Sequence, residues 1–480
     1  MSLLAPLVSG VTRRKRQLLD DFAHWRERTG ARPAAGRAAG DPVKPDLPEH
    51  QSQVERITRQ LERLLEHIDV DGLDALPADQ RIDRAREARS AIHHVHLIWD
   101  FFRRKLTLRE TQDLRNMLLC ADDFAWECFE PMMQRGLARN LLHADSHRAP
   151  PLVYLADEQG PLMRGRDSGF AVTEPRDVPT ELVHQFREVG KHLPVPIIGL
   201  PWHDANRLPP LIHIAHEVGH VVADDLAWLP EIERQITESS EIADGRKAGW
   251  TKWADEVAAD AFGVACAGDA YVAMLSLELL EPRAALRNDR QPDHRGRWKR
   301  YPTSWLRMYL ARGFRETLKY PDEGAWSAWT DACGESHSMA EWQDDVPAIA
   351  AIVCKGEHLG ALGITDLAEL QGGPAGFQAH TRMARALRQS VPGNFDSCRT
   401  LVVGAALAYI AMPERFDAEI SGKLFKAYAR SRAPSVREQK RKGPTAEQIA
   451  RQAEADARSR DSGLASLLGI PVSPAEEPGD

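Results

Sequence analysis

Two histidines four residues apart, with a glutamate directly after the first, carry the plainest chemistry in this chain: His216-Glu217-Val218-Gly219-His220. On a helix, positions four apart share a face, so both imidazoles reach one metal ion and Glu217 stands beside it. A zinc ion with three protein ligands keeps a fourth position for water and lowers that water's pKa to roughly 7. A carboxylate next to the metal, but not bound to it, takes the water's proton and returns it to a leaving amine. That role is expected of Glu217. Apart from the motif itself, residues 208 to 223 carry no charged side chain, so the helix reads as buried, and its imidazoles and carboxylate need a partner such as a metal. Gly219 costs a helix about 1 kcal/mol relative to alanine and signals close approach of another element.

A third ligand is needed. The apolar stretch from Trp253 to Gly263 offers Glu256 and Asp260, one helical turn apart on one face. Glu256 can bind the metal while Asp260 accepts the outward N–H of a ligand histidine. Asp224, Asp225, Glu241 and Asp244 compete for the third position. Here the sequence resembles the gluzincin type of zinc metallopeptidase, in which HExxH is followed by a second helix carrying ExxxD. The resemblance covers residues 195 to 310 and lies in motifs. It implies His216, His220 and Glu256 as ligands of one Zn2+, Glu217 as catalytic base and Asp260 as orienter. The 36-residue step from His220 to Glu256 is longer than in the best-known gluzincins, so an insertion or extra helix is expected between Asp224 and Trp250. A metzincin site is excluded, because the glycine and third histidine of HExxHxxGxxH are missing after His220.

Gluzincins add a His or Tyr that hydrogen-bonds the oxyanion, and Tyr301 or Arg307 is the candidate for that role. The other reading of this stretch is that Pro302 opens a helix from Thr303 to Phe314, Tyr301 packs on it, and Arg307 serves an ion pair. His294 lies in a polar loop, and His213 reads as a core or supporting histidine. Upstream, Leu193 to Pro201 is apolar, β-branched and punctuated by proline, which suits an edge strand. In metallopeptidases of this kind such a strand, here Ile197, Ile198 and Gly199, binds an extended peptide by strand addition. A buried connector is the alternative.

Positioning these residues requires a large helical scaffold. The 480 residues hold two or three domains, and 43% hydrophobic residues suffice for sizeable cores. The expected fold class is mainly α (α+β): a zincin-like catalytic core with a small sheet beside the HExxH helix, flanked by helical domains. The expected divisions are a mobile segment at 1–48, an N-terminal helical domain at 49–149, and the core at 150–320. A C-terminal helical region at 321–426 and a charged, disordered tail at 427–480 complete the chain. The core opens on a small hairpin between Pro150 and Thr173. His93, His94 and His96 read as scattered packing and surface residues. A net charge of −8 gives no overall attraction to nucleic acid or anionic membranes. The longest uncharged stretch, Thr400 to Pro413, is too short to span a bilayer. Six cysteines without CxxC spacing read as reduced, buried thiols, and with no apparent signal peptide the expected compartment is the cytoplasm.

The expected function is hydrolysis of a protein or peptide substrate by a zinc peptidase of narrow specificity. One alternative is a zincin scaffold that binds zinc without catalysis. The other is a helical interaction protein with a chance motif, which predicts no metal.

Overall fold

The computed structural model describes residues 4–30, 50–139, 141–142, 148–158, 160–165, 193–334, 339–355, 363–389, 395 and 397–431. It is mainly helical with one three-stranded sheet. Most of the expected charged tail, and residues 31–48 of the expected mobile segment, lie outside the described residues.

The first part of that segment is not a loose end. Leu4–Thr29 forms helix α1, and Val8, Val11, Leu18, Phe22 and Trp25 are buried along one side of it. The basic cluster at 13–16 hides this face in the sequence, yet it is compatible with burial. Lys15, for example, donates to the carbonyl of Ile68 at 2.8 Å. Helices α2 (Gln51–Glu66) and α3 (Ala78–Thr107) pack on α1 around Trp99, whose indole donates to Asp21 at 2.5 Å and meets Phe22 edge to face. These three helices share one hydrophobic core with Leu152 and Ile197.

Helix α4 (Gln112–Ala138) belongs elsewhere. Its buried Met117, Phe124, Phe129 and Met132 join the larger core around the central helices, so the expected boundary at 149 cuts through a packed unit. The His93, His94 and His96 cluster forms no metal-sized group among the described residues.

Strands β1 (Leu152–Ala156), β2 (Leu162–Arg164) and β3 (Ile197–Pro201) assemble in the order β1-β3-β2. β3 runs parallel to β1 and antiparallel to β2. Two expectations fail here. The first two strands are not a hairpin, because β3 lies between them. Ile197, Ile198 and Gly199 do not form an edge either: they are central, paired on both sides and wholly buried. The prolines that suggested an edge fall at 194, 196 and 201, before the strand and at its last residue, so they spare the ladder bonds. A Cβ on Gly199 would stand 2.8 Å from that of Ala156, so packing accounts for this glycine.

Helix α5 (Ile214–Asp225) carries the HEVGH residues and crosses α7 (Asp244–Ala267), which carries Glu256 and Asp260. Gly219 sits at the crossing. A Cβ there would lie 2.9 Å from Phe262 Cβ and 3.0 Å from Ala259 Cα. Between Asp224 and Trp250, where an insertion or extra helix is expected, the chain forms helix α6 (Trp228–Glu238), whose Trp228, Ile232 and Ile236 are buried. Gly268, at φ 57°, ends α7 and turns the chain into α8 (Asp269–Glu278). After α9 (Arg283–Asn288), a loop leads to α10 (Ser304–Thr317), capped by the Thr303 side chain on the amide of Leu306. Helices α11 (Ala325–Cys333), α12 (Val346–Lys355), α13 (Ile364–Leu370), α14 (Gly373–Gln389), α15 (Cys398–Ala411) and α16 (Ser421–Ser431) follow. They share the core of α4, α5 and α7. All six cysteines are free and buried. No described helix is long and apolar enough to cross a membrane.

Candidate metal centre

Three side chains converge where α5 and α7 cross. His216 Nε2 is 3.2 Å from His220 Nε2, and Glu256 Oε2 is 3.2 Å from the first and 3.5 Å from the second. All three residues are buried. Each histidine turns its other nitrogen to a carboxylate: His216 Nδ1 lies 2.9 Å from Asp260 Oδ1, and His220 Nδ1 lies 2.6 Å from Asp255 Oδ1. A carboxylate at Nδ1 places the neutral ring's proton there and leaves Nε2 with a lone pair. The third atom, Glu256 Oε2, is buried and receives no hydrogen bond. With both rings neutral, three acceptors would face one another, an arrangement that costs free energy unless a positive charge, a proton or a metal ion, joins them.

The spacing fits a metal ion. Ligand atoms held tetrahedrally at 2.0–2.1 Å from zinc are about 3.3–3.4 Å apart, close to the separations of 3.2 to 3.5 Å here. Among the described residues, this is the group of histidine, cysteine and acidic side chains that could hold a metal.

The local field favours positive charge. Burial disfavours a charged His220, but Asp255 and Glu256 outweigh it and push the ring up to about 10. Burial also opposes ionisation of Asp260, yet Arg307 and His216 hold its carboxyl well below the usual carboxylate range. Glu256 is depressed likewise by the two histidines against its own burial. What attracts a proton to these rings attracts a metal cation equally.

Around the three, a supporting network is fixed by geometry. Arg307 grips Asp260 with Nε at 2.6 Å and Nη2 at 2.8 Å, and the Tyr271 hydroxyl donates to Asp260 Oδ1 at 2.7 Å. Arg300 Nε donates to Glu256 Oε1 at 2.5 Å. A cleft of 540 Å³ opens on this centre, lined in part by His216, Glu217, Tyr271, Tyr301, Arg307 and Glu278. Glu217 is 7% exposed. It lines the cleft as a carboxylate with no hydrogen-bond or ion-pair partner among the described residues.

Of the other sequence candidates, His213 lies beside Glu278 with Nε2 at 3.2 Å from its carboxylate, and His294 is exposed in the loop before α10. Asp244 pairs with Lys247 at 2.7 Å, and Asp225 faces Arg148 at 3.7 Å. Neither these two nor Asp224 and Glu241 belong to the convergent group. Asp255, Tyr271 and Arg300 escaped the sequence reading. Asp255 adjoins Glu256, but its side chain is 43% exposed, and an acidic residue on a helix surface gives no sign of a histidine partner. Tyr271 and Arg300 come from later elements and meet the centre only through the fold.

No family model, curated protein or solved structure matches this chain.

Proposed function

We propose that this protein is a zinc-dependent peptidase with a zincin-like core, in which His216, His220 and Glu256 hold the metal and Glu217 is the general base. The observation that carries the reading is the convergence of three buried acceptor atoms beside a cleft that also contains an unpartnered carboxylate. When bound, zinc supplies a Lewis acid that lowers a water's pKa and polarises a scissile carbonyl. Glu217 accepts the proton of the attacking water and delivers it to the leaving amine. Asp255 and Asp260 fix the tautomer and ring orientation of the two histidines.

Tyr301 is 38% exposed at the cleft, so its hydroxyl is available to hydrogen-bond a developing oxyanion. Arg307 also lines the cleft, but both of its arms serve Asp260, which makes it a supporting residue first. Because β3 is enclosed, an extended peptide would run beside β2, the sheet edge that follows the cleft residues Gly160 and Pro161.

The test uses purified, zinc-loaded protein and a mixture of defined peptides read by mass spectrometry, with Glu217→Gln as control. Cleavage by the wild type, lowered at least about 10²-fold in a variant that still binds one zinc, supports the mechanism. Zinc binding without cleavage by either protein would leave a metal-binding scaffold, and no zinc at all would refute the reading.

A further inference from the structure

We propose that Arg300 is a positioning residue that holds Glu256 by one oxygen and so presents the other, Oε2, alone to the metal. The inference rests on the zinc reading above and assigns a task to a residue outside the motifs. Glu256 has two oxygens in different surroundings. Oε1 takes the Arg300 guanidinium at 2.5 Å, while Oε2 has no donor and faces both histidines. A carboxylate free to rotate would offer either oxygen or both. One tied by a charged donor at Oε1 offers a single oxygen in a fixed direction.

The simpler view is an ordinary surface ion pair, since the Arg300 side chain is 65% exposed and exposed pairs contribute little. Two observations speak against it. First, the partner is 2% exposed, and Arg300 is the one described residue that donates to it within ordinary hydrogen-bonding geometry. Second, the backbone around Arg300 is pinned on both sides. Gln291 donates to the carbonyl of Tyr301 at 2.8 Å and accepts from the amide of Lys299 at 3.2 Å. The carbonyl of Lys299 in turn takes the Trp253 indole N–H at 3.3 Å. Trp253 lies three residues before Glu256 on α7, so the loop is anchored to the helix that it serves. Trp298 packs edge to face on the same indole at 5.2 Å.

Arg300 also reaches a second cleft residue. Its guanidinium lies 5.4 Å from the Tyr301 ring centre, and that of Arg307 lies 5.0 Å from it. Tyr301 therefore has two cations within reach of its ring, one tied to Glu256 and the other to Asp260. The two arginines held by the centre's carboxylates are thus the ones beside this cleft-lining tyrosine.

The experiment compares wild type, Arg300→Gln and Arg300→Lys as full-length proteins. Zinc affinity is measured by competition with a chromophoric chelator, and the ligand field by the visible spectrum of the cobalt(II)-substituted protein. Thermal melting in excess chelator checks the fold. Arg300→Gln is expected to melt as the wild type does without metal, to bind zinc roughly 10-fold more weakly, and to shift the cobalt(II) bands as Glu256 changes its mode of binding. Arg300→Lys, which keeps a charged donor, should recover part of both. A folded Arg300→Gln protein with unchanged affinity and spectrum would overturn the proposal while leaving the zinc reading intact. A wild type that takes up neither metal would overturn both, and the two failures are separate because they appear in different proteins.

Discussion

Asp255 and Asp260 each face the Nδ1 of one histidine, yet neutralising them should have different consequences. Asp260 is 1% exposed and serves four donors, one each from His216 and Tyr271 and two from Arg307, which is itself 12% exposed. Asp260→Asn leaves that guanidinium buried without a counter-charge, and breaking such a pair costs about 3–5 kcal/mol. Asp255 is 43% exposed and serves His220 alone among the described residues. Exposed pairs contribute about 0–1 kcal/mol, so Asp255→Asn should leave stability almost unchanged. Both variants lose the orienting contact of a proposed metal ligand, and each should bind zinc roughly 10- to 100-fold more weakly. Urea unfolding of chelator-treated protein measures the first effect, and chelator competition measures the second. The reasoning fails if Asp255→Asn binds zinc as tightly as wild type. It also fails if metal-free Asp260→Asn unfolds within about 1 kcal/mol of wild type, because the buried network would then hold nothing in place.

Further consequences are open to simple assays. Gly219→Ala places a methyl group 2.9 Å from Phe262 Cβ; overpacking of about 1–3 kcal/mol outweighs the helix-propensity gain of about 1 kcal/mol, so the melting temperature should fall, and a rise would count against the tight crossing. Burial pushes the Glu130 carboxyl up to about 6 from 4.5, so the folded state holds its proton more tightly than the unfolded one, and stability falls as pH rises through that window. Glu130→Gln should remove up to about 2 kcal/mol of that loss and be the more stable protein at pH 8; equal unfolding midpoints at pH 8 would contradict this. Removing bound zinc by chelation should lower the melting temperature of wild type, because a ligand of the folded state alone stabilises it by mass action. An unchanged melt would mean that the folded protein does not bind zinc, and would refute the zinc reading.

The helical character of the chain and the helices bearing the candidate centre were legible because apolar residues recur there at helical spacing. The glycine at 219 announced the close crossing for the same local reason. The sheet was misread because strand order is not a local property. Nothing in residues 150 to 201 says that β3 slots between β1 and β2, and prolines flanking a short strand look the same whether it is central or at an edge. Helix α1 was missed because four consecutive basic residues masked an apolar face that continues on both sides of them. The pairing of His220 with Asp255 could not be read either, since it depends on how α5 is rotated against α7.

That rotation is where fold and candidate chemistry become one problem. The residues that would grip the metal lie on the two central helices, not on loops, and His216, His220, Glu256 and Asp260 are all buried between them. A helix crossing held open by side chains this polar is unfavourable until each acceptor has a partner. Asp260 has its partners within the protein, in Tyr271 and Arg307. Glu256 has Arg300 for one oxygen and none for the other. The incomplete part of the network is thus confined to three atoms, His216 Nε2, His220 Nε2 and Glu256 Oε2. All three lie on the ligand side, while every supporting contact is already made. The protein bears the cost of organising the centre in its fold, which leaves a bound cation little to rearrange.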